Sequence, residues 1–207
     1  MGSRARASSR RGGGGRRLST AAVLLFALLH ATRGMAGQPA PDVTVREESG
    51  VYFVSARFEV AQPPSVALAV LTSYDQIPRF MPDVETSVVR ERHTAHVVVE
   101  QEAVARLMMF SRRLYLVLDI EERPDALLFS DRSGLSFVRY EGAWRLSQRD
   151  GRTSISYELA AEPSFDVPGL VLKRLLRRDS ARMIERLQKE IAARAALLVG
   201  LAPQATR

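Results

Sequence analysis

Few residues of this chain can do acid–base or metal chemistry, and their positions decide what the rest must be. Beyond residue 41 the only histidines are His93 and His96. Three apart across a turn, they could share a metal ion, but no cysteine or paired carboxylate stands near to complete a coordination set, and the spacing fits a solvent-exposed turn. Tyr74 with Asp75, and Glu100 with Glu102, offer acid and base pairs. A general acid or base must reach a substrate proton, however, and glutamates two apart on a strand share a face that ordinarily meets water. No serine, histidine and acid fall in the order of a triad. Cysteine is absent, which excludes a thiol nucleophile, thiolate metal sites, disulfides and a lipoprotein anchor. The expectation is no catalytic residue, no metal site and no cofactor.

Charge divides the chain in two. The first 41 of its 207 residues hold seven arginines and no acid; removing those seven leaves 23 basic residues against 23 acidic ones. The high isoelectric point therefore belongs to the leader, and a nucleic-acid partner loses its electrostatic basis. Within the leader, an arginine-rich stretch to Arg17 precedes an apolar run from Leu18 to Leu29 and the small residues around Ala36. This pattern predicts a signal peptide cleaved after Ala36 and export, as to a bacterial periplasm, by the general or the twin-arginine route. The apolar run is shorter than the roughly 20 residues that span a bilayer. A membrane anchor and an organelle transit peptide are the alternatives. The expected organisation is signal peptide 1–36, spacer 37–42, one domain over 43–199 and a disordered tail over 200–207.

The elements that must position any site follow from periodicity. Tyr52, Val54, Ala56, Phe58 and Val60 alternate with more polar residues, predicting a strand that Pro63-Pro64 ends. Short apolar helices are expected from Val66 to Leu71 and from Tyr74 to Phe80. A meander of strands then covers 84–92, 95–103, 107–122, 126–132, 136–148 and 153–162, with Asp150-Gly151 as the clearest hairpin turn. Leu114, Leu116, Leu118 and Ile120 share one face, as do Ile155, Tyr157 and Leu159, so the sheet is dry on one side only. A long amphipathic helix is expected over 166–199, with Asp166 and Pro168 at its start and Gly200 at its stop.

This order resembles the helix-grip fold of the START-like (SRPBCC) superfamily: an α+β domain with a curved antiparallel sheet of about seven strands around a long C-terminal helix, and two short helices after the first strand. Three segments are similar to its polyketide cyclase/dehydrase and coenzyme Q-binding branch. They are Val70-Leu71-Thr72-Ser73-Tyr74-Asp75-Gln76-Ile77-Pro78-Arg79-Phe80-Met81-Pro82 with Val84-Glu85, Tyr140-Glu141-Gly142-Ala143-Trp144-Arg145-Leu146, and Leu175-Leu176-Arg177-Arg178-Asp179. The resemblance implies a cavity for an apolar molecule between sheet and helix.

Its expected lining is Phe80, Met81, Met109, Leu116, Leu118, Phe129, Phe137, Trp144 and Tyr157, with Leu172, Leu176, Met183 and Leu187 from the helix. Residues of these types at these spacings also make plain core, and Trp144 is expected to be chiefly structural. Opening of the helix, or of the loop around Ser133 to Leu135, would admit the ligand. Lys173, Arg174, Arg177, Arg178 and Arg182 run along the polar side of the helix, a solvated face or a surface for docking on anionic membrane. The expected function is non-catalytic binding or transport of a hydrophobic small molecule: a lipid, an isoprenoid quinone or a polyketide-like compound. A cyclase or hydrolase using the same cavity, and a ligand-free interaction module for an unknown protein partner, are the alternatives.

Overall fold

The structure, a computed structural model, describes residues 41–107 and 110–201. The expectations for the leader and for residues 202–207 lie outside the described residues. Eight strands form one antiparallel sheet: β1 (Asp42–Glu48), β2 (Val51–Val60), β3 (Val84–Arg92), β4 (His96–Leu107), β5 (Phe110–Glu122), β6 (Ala126–Asp131), β7 (Phe137–Arg149) and β8 (Arg152–Pro163). Their order is β1-β2-β8-β7-β6-β5-β4-β3. Between β2 and β3 lie α1 (Pro64–Leu71), a 3-10 turn (Tyr74–Gln76) and α2 (Ile77–Phe80), and the chain closes with α3 (Gly169–Leu201).

The meander follows the sequence pattern closely, with two corrections. β1 is an eighth strand that the alternation did not announce, because Val43 and Val45 are its only buried residues and the rest is charged or polar. That composition suits an edge strand, which must discourage further pairing. The turn into β2 has both Ser49 (φ 52) and Gly50 (φ 85) left-handed, as does the β7–β8 turn with Asp150 (φ 51) and Gly151 (φ 73). Two positive φ values are what a two-residue hairpin needs to match strand twist. The second correction concerns α3, which starts at Gly169 rather than at 166. Val171 and Leu172 donate to the Pro168 carbonyl, so Pro168 caps the helix and residues 164–167 form an irregular connection that bends at Ser164 and Phe165. At the other end Gly200 remains helical. Among the described residues, no helix is long and apolar enough to cross a membrane.

The dry face is the one predicted. Tyr52, Val54, Ala56, Phe58 and Val60 of β2, Leu116, Leu118 and Ile120 of β5, and Ile155, Tyr157 and Leu159 of β8 are all buried. α3 lies against this face and α1 packs on α3. The contact is tightest along the second half of the helix, where Ile184, Leu187 and Ile191 are essentially inaccessible. Each such side chain contributes about 1.5–3 kcal/mol. Gln188 donates to the Glu59 carbonyl (3.3 Å), and Arg194 donates to Ser73 Oγ (2.6 Å) and the Ala69 carbonyl (3.3 Å), stitching the same half of α3 to β2 and α1.

Candidate functional site

Along the first half of α3 the helix and sheet part, leaving a cavity of about 350 Å³. Eleven of the thirteen residues expected to line it do so: Phe80, Met81, Leu118, Phe129, Phe137, Trp144, Tyr157, Leu172, Leu176, Met183 and Leu187. Met109 lies outside the described residues. Leu116 is a correction: it is buried within the apolar core and does not face the void.

One wall is an aromatic ladder carried by β6, β7 and β8. Trp144 lies 4.4 Å from Tyr157, Phe129 lies 6.5 Å from Tyr157 and 5.9 Å from Tyr140, and Phe137 lies 4.8 Å from Tyr140, ring centre to ring centre. Gly142 makes the ladder possible. A Cβ there would sit 2.6 Å from the Phe129 ring and 2.1 Å from the Glu158 carbonyl oxygen, so only a residue without a side chain lets that ring cross β7. Trp144 therefore packs as expected and lines the cavity as well.

Sequence reasoning missed several lining residues: Tyr140, Leu127, Leu159, Tyr74, Phe165 and Val167. The first three were within reach, since Leu127 and Leu159 are two residues, and Tyr140 four, from a chosen one on the same strand face. Phe165 and Val167 sit in an irregular connection with no period to reveal them.

The charged lining residues Asp83, Asp179 and Arg186, half-buried and held in ion pairs, stand where the cavity meets solvent. A polar clasp crosses this mouth. Asp83, just before β3, accepts from Arg186 of α3 (2.9 Å) and from Arg106 of β4, and Arg178 of α3 donates to the Arg106 carbonyl (3.1 Å). No periodicity announces this clasp, because its members are far apart in sequence. The loop around Ser133 to Leu135 is not a loose flap. Asp131 accepts from Ser133 N (3.0 Å) and Val117 N (2.9 Å), and Ser164 donates to both the Leu135 and Ser136 carbonyls.

The acid–base candidates are spent on structure. The Tyr74 hydroxyl donates to Glu122 (2.9 Å), and burial first, then that carboxylate, raises its pKa well above the phenol range. Asp75 accepts from Val89 N (3.0 Å), and Glu100 accepts two hydrogen bonds from Arg90, which hold its carboxyl below the usual range. His93 and His96 flank the β3–β4 turn, with His96 against Asp119. Burial pushes Tyr140 up to about 12 and raises Tyr157 as well, so at neutral pH both phenols facing the cavity keep their protons and act as hydrogen-bonding groups, not bases.

Of the basic run on α3, Lys173 pairs with Glu47 (3.4 Å) and Arg178 with Asp179 (2.8 Å). Arg174, Arg177 and Arg182 are exposed, with no carboxylate in salt-bridge reach among the described residues.

Residues 60–188 match the family model described as polyketide cyclase / dehydrase and lipid transport, a span that takes in the short helices, the sheet from β3 to β8 and most of α3. The chain belongs to this family. Its fold is that of the START-like superfamily. A Thermus thermophilus protein superposes with a TM-score of 0.60 at 20% identity, over 68% of this chain and 97% of its own. The Zhui aromatase/cyclase from a Streptomyces species gives 0.60 at 15% identity, over 70% and 96%. A STAR-related lipid transfer protein from Xanthomonas axonopodis gives 0.56 at 13% identity, over 74% and 99%. These likenesses establish the helix-grip fold. No curated protein matches by sequence.

Proposed function

We propose that this member of the family binds a hydrophobic small molecule in the cavity between sheet and α3, and holds it away from water without altering it. The observation that carries the reading is the cavity itself: an apolar space of about 350 Å³ walled by the aromatic ladder, with its nearby carboxylates engaged in ion pairs at the mouth. That volume lies at the lower end of the range for small-molecule sites. It suits one acyl or isoprenoid chain, a quinone or a compact polyketide-like polycycle, and is small for a two-chain phospholipid. Tyr140 and Tyr157 would offer a carbonyl or hydroxyl of the ligand a hydrogen bond, while apolar burial supplies about 25 cal/mol per Å² before the costs of association.

The two cavity phenols and the cyclase/dehydrase side of the family description favour a second reading, chemistry on an apolar substrate in the same space. We place the domain outside the cytoplasm as part of the proposal, on the strength of the leader; N-terminal sequencing of the mature protein should begin at Gly37. Native mass spectrometry of the purified chain, before and after organic extraction and after challenge with fatty acids, quinones and polycyclic phenols, tests the function. A discrete added mass released intact supports a carrier, and a released molecule chemically different from the one supplied supports the enzyme. A protein that stays bare through every challenge overturns both.

A further inference from the structure

One end of the domain gathers features that packing does not explain. The antiparallel order brings together there the ends of β1 and β8, the starts of β3 and β7, and the first turns of α3. Three large apolar side chains, two from around the start of β7 and one from the start of α3, face solvent at this end: Leu135 (65% exposed), Val138 (68%) and Leu170 (85%). Val138 falls in a register shift between Phe137 and Arg139 and so lies outside the regular pairing. Leu135 follows Gly134, whose φ of +64 sets the bend, in the loop that Asp131 and Ser164 fasten from both sides. The fold thus spends hydrogen bonds on a segment that keeps a leucine in water.

The charge is equally unusual. The first ten residues of α3 hold Lys173, Arg174, Arg177 and Arg178 and no acid. Lys173 and Arg177, and Arg174 and Arg178, are like charges four residues apart on one helix, so the run is a local conflict that helix stability alone would not produce. Leu170, Arg174 and Arg177 follow at steps of four and three and form one exposed stripe. Most acids nearby are engaged: Glu47 with Lys173, Asp83 with Arg106 and Arg186, Glu85 with Arg113 (3.7 Å) and Asp179 with Arg178. Glu162 and Asp166 are not in such pairs among the described residues, and neither are Arg174 and Arg177, nor Arg112, which stacks 3.8 Å over the Phe165 ring.

We infer that this end of the domain docks on an anionic lipid bilayer, Leu135, Val138 and Leu170 entering the headgroup layer while Arg174 and Arg177 meet lipid phosphates. Separate apolar points ringed by cations suit a fluid, negatively charged surface, whereas a protein partner would call for a continuous apolar centre. The half-buried lining residues Phe165 and Asp179 belong to this same end. If the cavity carries a ligand as proposed above, docking would let that ligand pass between bilayer and cavity without crossing water; the docking itself does not need the ligand.

The test is flotation of the full chain with vesicles of phosphatidylcholine alone or containing phosphatidylglycerol. The parent should partition onto the anionic vesicles at least about tenfold better, R174E/R177E should lose about thirtyfold or more of that partitioning, and L135S/L170S should lose several-fold. R174K/R177K should retain it. R174Q/R177Q gives the same direction should the reversals disturb folding, which unchanged melting would exclude. Parent and R174E/R177E binding equally would mean that the arginine-rich leader alone attaches the chain, and would overturn the inference. So would a parent that binds neither vesicle, or both alike. Ligand retention by R174E/R177E in native mass spectrometry is read separately, so failure of the carrier reading and failure of docking give different results.

Discussion

The two halves of α3 meet the same sheet in different ways. The second half is close-packed only from Ile184 to Ile191, both at 0% exposure, with Leu197, Leu198 and Val199 exposed beyond, while the first half presents Leu172, Leu176 and Met183 to a void. One amphipathic stripe serves both, so periodicity alone does not tell a core from a pocket. The distinction lies across the gap. α1 and the far end of β2 reach the second half, whereas the first half, apart from Tyr52 of β2 against its first turn, faces aromatic rings that lie along the sheet and leave space between.

Substitutions should separate the halves. The largest effect is expected at Ile191 or Ile184: truncation to Ala should cost about 3–4 kcal/mol in urea melts, since each leaves a cavity in close-packed surroundings. Trp144→Ala should cost about 3 kcal/mol and also enlarge the ligand space. A loss below about 1 kcal/mol would remove its packing role. A third expectation uses pH. Tyr140 has its pKa raised by burial to about 12, and Tyr74 and Tyr157 are raised as well. The unfolded chain gives up phenolic protons near pH 10 while the folded one keeps them, so these groups add stability that is fully present below pH 10 and is lost as pH climbs through about 12. Thermal melts from pH 8 to 12 should show this, and Tyr140→Phe should flatten the decline. Met183→Ala should be the mildest of the helix truncations, below about 1 kcal/mol, because its side chain already borders empty space. A cost at Met183 equal to that at Ile184 would erase the difference between the halves. Asp83→Asn weakens the clasp and should leave stability within about 0.5 kcal/mol, as exposed ion pairs do, while speeding ligand exchange in stopped-flow displacement.

Most of the sheet was legible because half-buried antiparallel strands alternate strictly, and Asp150-Gly151 marked its hairpin. β1 was not, since an edge strand with two buried valines carries little pattern, although Ser49-Gly50 is a turn signal in the sequence. The cavity wall was legible wherever strand parity was followed through, as from Trp144 to Tyr140, and illegible at Phe165 and Val167, where an irregular connection carries no parity. The Asp83–Arg186 pair joins residues brought close only by the completed fold, so no local rule contains it.

Gly142 has a consequence for how the ligand space can change over time. Positions such as Met183 or Leu176 can trade size freely, and each exchange reshapes the helix side of the space. Behind the aromatic ladder there is no such freedom, because the obstacle at 2.1 Å is backbone that cannot yield. Change in the shape of the cavity is thus open to the helix and the short segments around it, while position 142 of β7 has room for glycine alone and keeps the Phe129 ring where it lies.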